Sequence, residues 1–252
     1  MDNRLLRRLA TRLAGSSRVT VLTGAGVSAA SGVPTFRGAE GLWKERGLKD
    51  LATPEAFAKD PMTVWDWYAW RRAGVAACEP NAAHRVLARW TRERAGYSVI
   101  TQNVDDLHAR AGTERLLRLH GSLWELSCSG ECVRGSQPWK DNDAASLVPR
   151  HCPYCGAIAR PAVVWFGEAL EPAIVAEAIA ATECDVFITV GTSAVVYPAA
   201  GFVHEAERRG AFTVEINTES TPASDVVDLA ILGAAELVLP ALDALLQANP
   251  NP

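Results

Sequence analysis

Short apolar runs recur along the chain, and longer segments that mix apolar and polar residues separate them. Strand-like runs lie at 19–22, 97–100, 163–166, 185–190 and 212–216. Several of the segments between these runs are compatible with helices. Strands that alternate with helices are typical of a doubly wound parallel sheet. The pattern therefore predicts an α/β fold of the Rossmann-like type.

Two intervals interrupt this alternation. The interval 38–94 is helical in pattern and rich in tryptophan, whereas 122–160 is loop-like and carries four of the six cysteines. A chain of 252 residues is long enough for one large and one small domain. We therefore expect 38–94 and 122–160 to form a small domain, and 1–37, 95–121 and 161–252 to form the large one.

Charge and hydropathy narrow the choice of partners. The net charge of −4 and the pI near 5.8 give no general attraction to nucleic acids or anionic membranes. The uncharged stretch 186–203 is interrupted by Gly191, Pro198 and Gly201, which predicts a strand, a ligand loop and a helix instead of a membrane span.

The N-terminal segment places arginines and leucines at helical spacing without the apolar core of a signal peptide. It is therefore predicted to be a surface helix and not a targeting segment. We expect a protein of the reducing cytoplasm without a direct nucleic-acid or membrane partner. No heptad pattern or exposed terminal strand demands an oligomer, so we expect a monomer.

A glycine-rich segment follows the first strand-like run and opens a predicted helix. Gly24, Gly26 and Ala29 fit the pattern G-x-G-x-x-G/A. A helix N-terminus offers backbone N–H groups and a positive dipole end to a pyrophosphate, and glycines allow a tight turn. Packing alone also produces such turns, so the glycines leave both interpretations open.

Polar residues also follow two other apolar runs. One group comprises 101–108, and the other begins at His120. Ligands of open α/β sheets bind outside the carboxyl ends of the strands. These segments and the glycine-rich turn therefore point to one shared crevice.

Four cysteines form two close pairs, Cys128 with Cys132 and Cys152 with Cys155. Pairs separated by two to four residues are typical of a structural zinc site with four thiolate ligands. Disulfides or unrelated thiols are the alternative, which the absence of a secretory signal disfavours. Four sulfur ligands leave no open metal position, so the predicted single zinc ion is structural.

Taken together, these motifs resemble the sirtuin family, the NAD-dependent protein-lysine deacylases, over nearly the whole chain. The residues that carry the resemblance are Gly24 to Ser28, Pro34 to Arg37, Gln102 to Asp105, His120 with Gly121, Gly191 to Ser193, and the paired cysteines. The three-residue spacing of the first cysteine pair departs from the two-residue spacing commonest in sirtuins. The resemblance implies that the large domain binds NAD and that the small domain combines a helical module with a zinc ribbon.

The resemblance also implies a reaction. The acyl oxygen of an acyl-lysine attacks the nicotinamide ribose carbon, nicotinamide leaves, and a ribose hydroxyl captures the acyl group as O-acyl-ADP-ribose. His120 would be the catalytic base, a role that suits the pKa of imidazole. Hydride transfer is disfavoured because 40–45 does not provide the acidic strand end that dehydrogenases place about twenty residues after the glycines. A mono-ADP-ribosyltransferase and a nonenzymatic NAD-sensing zinc-ribbon adaptor are the alternatives.

The NAD contacts implied by the resemblance include Asp105 and the Val104 backbone at the nicotinamide carboxamide, and Gln102 and Asn103 near the ribose. The full set is Gly24, Ala25, Gly26, Ser28, Ala29, Pro34, Thr35, Phe36, Arg37, Trp43, Gln102, Asn103, Val104, Asp105, Gly191, Thr192, Ser193, Asn217, Thr218, Glu219 and Ala235. His84, His108, His151 and His204 are interpreted as structural, and Cys78 and Cys184 lie outside the zinc pattern.

Tyr68 and Arg71 are three residues apart, so they share one face of a helix. A guanidinium beside a phenol is a good receptor for a carboxylate. The pair resembles the sirtuin subgroup that removes succinyl, malonyl or glutaryl groups, and the small Ala52 leaves room for such a group. A core tyrosine and a solvated arginine are the alternative.

The segment 163–168 resembles the sirtuin strand that pairs with a peptide backbone. Its implied substrate contacts are Val164, Trp165, Phe166 and Gly167. The expected activity is removal of succinyl, malonyl or acetyl groups from protein lysines.

Overall fold

The computed structural model describes residues 2–35, 49–132, 137–144 and 148–248. Phe36, Arg37 and Trp43 lie outside the described residues. The α-helices are α1 (Asn3–Ala14), α2 (Pro54–Lys59), α3 (Pro61–Ala76), α4 (Ala82–Glu93), α5 (Leu107–Arg110), α6 (Pro172–Ala181), α7 (Phe202–Arg208) and α8 (Ala235–Ala248). The strands are β1 (Val19–Thr23), β2 (Tyr97–Thr101), β3 (Leu116–Arg118), β4 (Gly121–Cys128), β5 (Trp139–Lys140), β6 (Ala159–Val163), β7 (Val186–Val190), β8 (Phe212–Asn217) and β9 (Leu229–Leu232).

The larger sheet confirms the predicted α/β class. Its strands are parallel and follow the order β3-β2-β1-β7-β8-β9. Four of the apolar runs correspond to β1, β2, β7 and β8, and all of their apolar side chains are buried. Buried strands of this kind are expected in a sheet that helices cover on both faces.

The fifth apolar run, 163–166, does not form a strand of this sheet. Only Val163 belongs to a strand, the antiparallel β6, and the following residues form a loop that lines a cleft. Trp165 is buried against Phe57 and Tyr68. The run is apolar because it packs against the small domain. Hydropathy alone cannot distinguish such a buried loop from a buried strand.

The helices α1, α4 and α8 cover one face of the large sheet, and α6 and α7 cover the other. The helix α4 lies within the interval 38–94, which the sequence assigns to the small domain. However, its Leu87 and Trp90 are buried in the core of the large sheet, and the Trp90 indole N–H donates to Asp243 of α8 at 2.7 Å. We therefore propose a division in which α4 belongs to the large domain.

The uncharged stretch 186–203 has the predicted organisation. β7 leads into a loop, a short 3-10 helix and then α7. The predicted N-terminal surface helix is α1, which buries Leu6, Leu9 and Leu13 and exposes its arginines. Within the described ranges, every helix is too short or too polar to cross a membrane.

The small antiparallel sheet, β5-β4-β6, packs with α2 and α3 around a separate apolar core. Two polar contacts attach α3 to this sheet. The Trp65 indole N–H donates to the carbonyl of Ala159 at 2.8 Å. The buried Arg72 side chain forms an ion pair with Asp141 at 3.0 Å and also donates to backbone carbonyls. Because a buried guanidinium is stable only with such partners, Arg72 fixes the position of α3.

The glycine-rich segment packs directly against the loop after β7. The Gly24 N–H donates to Val190 at 3.0 Å, and the Gly26 N–H donates to Gly191 at 2.8 Å. A Cβ on Gly24 or Gly26 would lie 2.8 Å from the Gly191 carbonyl oxygen. These two N–H groups therefore bind protein carbonyls, which fits the packing role of the glycines. The segment that follows is a 3-10 helix, Ala25–Ser31.

We predict that Gly191→Ala destabilises the protein by at least about 2 kcal/mol, because alanine at positive φ is strained and the new Cβ has no space. Gly191 has φ +57°, and its Cβ would lie 2.5 Å from the Val27 nitrogen. Urea unfolding measures the change. As a control, Gly74→Ala in α3 meets no atom of the described residues within 4 Å and should stabilise the protein slightly. Equal stability of the Gly191 variant and the wild type would contradict the packing role.

Candidate active site

A cleft of about 600 Å³ lies at the carboxyl ends of the central strands. Its walls come from the loops after β1, β2 and β7, from the end of β8, and from the small domain. The expectation of one shared crevice is therefore confirmed. The predicted site residues that line it are Gly24, Ala25, Gly26, Thr35, Tyr68, Arg71, Gln102, Asn103, Val104, His120, Val164, Trp165, Phe166, Gly167, Gly191, Thr192, Ser193, Asn217, Thr218 and Glu219.

Five further predicted NAD contacts do not line the cleft. Ser28 and Asp105 are buried beneath its wall, and Ala235 is buried at the start of α8. Ala29 and Pro34 are exposed. Ser28 donates to Asp105, and Asn103, which lines the cleft, donates to Ser28.

His120 lies between β3 and β4 and is held from two sides. Its Nδ1 lies 2.9 Å from the Gln102 carbonyl oxygen, and its own carbonyl accepts the Val164 N–H at 3.0 Å. Because a carbonyl oxygen only accepts, Nδ1 carries the proton, and Nε2 of the neutral ring has a free electron pair. Burial lowers the pKa of His120 below 6.5, although the hydrogen bond to Gln102 opposes this shift. The ring is therefore neutral and basic at neutral pH.

Hydrogen bonds between loops form one wall of the cleft. Gln102, after β2, donates through Nε2 to the Thr192 hydroxyl at 2.9 Å. Asn217, at the end of β8, donates through Nδ2 to the Thr192 carbonyl at 2.9 Å. Thr192 therefore connects the loops after β2 and β7 to β8. This arrangement provides hydroxyl and amide groups at the edge where a nucleotide would bind.

Beneath this wall, Asp105 is the centre of a buried polar network. The Ser28 hydroxyl donates to Asp105 at 2.7 Å, and the Leu107 N–H donates to its other oxygen at 3.0 Å. The Asn103 side chain donates to the Ser28 oxygen at 3.1 Å. Burial raises the pKa of Asp105, while the hydrogen bonds from Leu107 and Ser28 oppose the shift. The network fixes the orientation of both Asn103 and Asp105.

The network also includes a histidine that sequence reasoning treated only as structural. Nε2 of His84 lies 3.3 Å from the Ser28 oxygen, and Nδ1 accepts the Asn81 N–H at the start of α4. Burial, followed by the charge of Arg85, lowers the pKa of His84 to about 4. His84 is therefore a neutral donor to Ser28. His84 lies three residues after Asn81, a spacing typical of a helix cap, so the sequence contained a local signal for the orientation of the His84 ring. It contained no signal for the contact of His84 with the distant Ser28.

Tyr68 and Arg71 lie together at the other end of the cleft. Tyr68 is only 1% exposed, and its phenol oxygen accepts the Trp165 indole N–H at 2.8 Å. The Arg71 guanidinium carbon lies 5.0 Å from the centre of the Trp67 ring and 5.7 Å from the centre of the Tyr68 ring. Burial raises the pKa of Tyr68, so the phenol is neutral. Tyr68 is therefore a core residue, as the alternative interpretation expected. Arg71, however, packs over Trp67 and lines the cleft, so it is not simply a solvated charge.

A charged pair that sequence reasoning missed supports Trp165. Glu168 accepts two hydrogen bonds from Arg160, at 2.5 and 2.8 Å, and accepts the Trp165 N–H at 2.8 Å. The Arg160 guanidinium lies 3.4 Å from the centre of the Trp165 ring. Residue spacing did not indicate this arrangement, because β6 and a turn are needed to bring Arg160 and Glu168 together.

The four predicted zinc ligands converge. Their Sγ atoms all lie within 4.8 Å of one another. The Cys128 and Cys155 sulfurs are 3.5 Å apart, and those of Cys132 and Cys152 are 4.0 Å apart. A disulfide requires about 2.05 Å, whereas Zn–S bonds of about 2.3 Å in a tetrahedron place sulfurs roughly 3.8 Å apart. The cluster therefore fits one tetrahedral zinc ion, and Cys78 and Cys184 lie outside it.

Comparisons with known proteins agree with this geometry. The model of the Sir2 family matches residues 24–198. An NAD-dependent protein deacylase of Aquifex aeolicus is 44% identical over 84% of this chain and 87% of the relative. An NAD-dependent protein deacylase 1 of Archaeoglobus fulgidus is 44% identical over 95% of both chains. A solved Sir2 homolog–NAD complex superposes with a TM-score of 0.87 at 43% identity, covering 98% of this chain and 95% of that chain. This protein belongs to the Sir2 family, the sirtuins.

Proposed function

We propose that this protein is an NAD-dependent deacylase of protein lysines that releases nicotinamide and O-acyl-ADP-ribose. The observation that carries the proposal is the neutral His120 in the cleft, whose Nδ1 is engaged by Gln102 and whose Nε2 is basic. The names of the relatives, NAD-dependent protein deacylases, support the same reaction.

NAD supplies an electrophilic ribose carbon and a leaving group, nicotinamide. His120 accepts a proton from the ribose hydroxyl at Nε2, which allows that hydroxyl to capture the acyl group. In the balanced reaction, acyl-lysine, NAD and one water give the free lysine, nicotinamide and O-acyl-ADP-ribose. The Gln102 carbonyl keeps the imidazole in the required tautomer. Because burial holds the pKa of His120 below 6.5, the residue is ready to accept a proton at neutral pH.

Residues on the cleft walls are proposed to bind the rest of NAD. Val104 lines the cleft and Asp105 lies beneath its wall; the Val104 backbone and Asp105 are proposed to hold the carboxamide, and the buried network around Ser28 supports this arrangement. The loop 191–193 contacts phosphate or ribose, and 217–219 contacts the adenosine ribose. The lining of one cleft by these segments supports this assignment. Phe36, Arg37 and Trp43 complete the proposed set by resemblance.

The end of the cleft that contains Tyr68 and Arg71 is proposed to select acyl groups that end in a carboxylate. The phenol oxygen of Tyr68 accepts a hydrogen bond from Trp165, so its own hydrogen can be donated to another group. A succinyl or malonyl carboxylate is a suitable acceptor, and Arg71 supplies the compensating charge. The small Ala52 lines the same end of the cleft. Acetyl groups lack the carboxylate that this arrangement fits.

The protein substrate is proposed to pair its backbone with the segment 164–167, which lines the cleft. We also infer a monomer in the reducing cytoplasm, where four thiolates remain available to zinc. A mono-ADP-ribosyltransferase would pass ADP-ribose to a protein nucleophile, and an adaptor would bind NAD without releasing nicotinamide. The basic nitrogen of His120 favours the deacylase over the adaptor.

We predict that His120→Ala lowers kcat/KM for deacylation by at least about a thousandfold, because the general base is lost. NAD binding should remain largely intact, which calorimetric titration can measure. For the wild type, kcat/KM should rise with pH through a pKa below 6.5 and then level off, because neutral His120 is the active form. Substantial deacylation by the alanine variant would contradict the assignment.

We predict that Arg71→Met lowers kcat/KM for a succinyl-lysine peptide by roughly tenfold or more, which corresponds to one lost charge-assisted hydrogen bond. The same variant should retain activity on the matching acetyl-lysine peptide. Trp165→Phe keeps an aromatic ring but removes the donor to Tyr68, so it should shift preference in the same direction. Equal losses on both peptides would argue against selection by the carboxylate.

We predict one zinc ion per chain, measurable by elemental analysis. Cys152→Ser should release the zinc and lower the midpoint of thermal unfolding, because the metal stabilises the folded ribbon. Cys78→Ser is a suitable control, since Cys78 lies outside the cluster and should leave the zinc content unchanged. Folded wild-type protein without zinc would disprove the site.

A further inference from the structure

A second cavity, of about 430 Å³, lies beside α4 and α5 and shares no lining residue with the cleft. Its charged lining residues in the described part of the chain are Arg85, Arg89, Arg92, Arg110 and Glu79. Four arginines thus line one cavity in a chain with a net charge of −4. The sequence-based interpretation of the protein does not account for them.

The arrangement of these arginines is electrostatically unfavourable without an anion. Arg85, Arg89 and Arg92 follow one face of α4, spread over roughly 10 Å of the helix axis. Like charges at such spacings destabilise a helix. Arg85 also lies near the N-terminus of α4, where the positive end of the helix dipole disfavours a cation. A bound anion would relieve both repulsions.

The protein compensates these charges only in part. Arg89 pairs with Asp243, and Arg110 pairs with Glu79 at 2.8 Å. Arg92 donates to the Gly112 carbonyl at 3.3 Å. The Arg85 side chain has no hydrogen bond or ion pair with another described residue, and only its backbone N–H donates, to Asn81. The Arg89 Nε is shielded from solvent and has no hydrogen-bond partner within the same part of the chain.

We propose that this cavity binds a small ligand that carries at least two phosphate groups, with Arg85 and Arg92 as its main contacts. The planar guanidinium fork matches phosphate oxygens, and several such groups fit several phosphates. The cavity volume is within the range of small-molecule sites, about 300–1,000 Å³. An inorganic oligophosphate and a nucleoside diphosphate present the same chemistry. A nucleic acid fits less well, because the chain as a whole is acidic.

The test uses the full chain saturated with NAD, so that the cleft is occupied. Tripolyphosphate, pyrophosphate, ADP and orthophosphate are titrated separately by calorimetry. We expect tripolyphosphate to bind more tightly than orthophosphate, with an affinity that falls as salt rises. Comparing ADP with pyrophosphate distinguishes a nucleotide from an inorganic ligand, since both carry two phosphates. A preference for ADP and a preference for pyrophosphate would both support the site.

Two variants should move the affinity in opposite directions. Arg85→Gln/Arg92→Gln should weaken tripolyphosphate binding by at least about tenfold, as for the loss of one charge-assisted hydrogen bond. Glu79→Gln should strengthen binding, because it removes the negative charge among the lining residues. Arg208→Gln/Arg209→Gln, at the C-terminal end of α7, removes the same charge on the opposite face of the sheet and is the matched control.

Absence of tripolyphosphate binding by the wild type, or equal binding by the Arg85→Gln/Arg92→Gln variant, would overturn the proposal. Equal affinity for orthophosphate and tripolyphosphate would overturn the assignment to ligands with several phosphates. Tripolyphosphate could also bind the zinc ion. Because all variants retain the four cysteines, that effect would be equal in all of them and cannot produce the expected difference in affinity. The binding assay needs no turnover, so it is independent of the proposed deacylase activity.

Discussion

The pairing of β4 with β6 connects the candidate catalytic residue to the acyl end of the cleft and to the zinc cluster. At one end of this pair, the Val164 N–H binds the His120 carbonyl at 3.0 Å. At the other end, Cys128 pairs with Ala159 beside the cysteine cluster. Gly121 has φ +77°, and its Cβ would lie 2.0 Å from a backbone oxygen of β6. The zinc ribbon therefore stabilises the same two strands that position His120 and the segment after Val163.

A second constraint acts at the nucleotide end of the cleft. The loops after β1 and β7 touch backbone to backbone, which only glycines permit at Gly24, Gly26 and Gly191. Gln102 and Asn217 then attach to Thr192 of the same region through side-chain hydrogen bonds. Backbone contacts set the shape of this wall, and polar side chains provide its chemistry. The proposed reaction thus uses a cleft whose two ends are fixed by different kinds of contact.

Much of this organisation could be predicted from the sequence. Buried strands, cysteine pairs and polar residues at strand ends are local signals, and the structure confirms the parallel sheet, the cysteine cluster and the shared crevice. Long-range contacts could not be predicted. The support of Trp165 by Arg160 and Glu168, and the contact of His84 with Ser28, depend on elements distant in sequence. Hydropathy likewise did not reveal that α4 packs on the large sheet.

The most direct test of the proposed function is mass analysis of the products formed from NAD and a succinyl-lysine peptide, with an acetyl-lysine peptide in parallel. A deacylase with the proposed selectivity produces equal amounts of unmodified peptide, nicotinamide and acyl-ADP-ribose, faster from the succinyl peptide. ADP-ribose attached to the peptide, or NAD binding without nicotinamide release, would contradict the account.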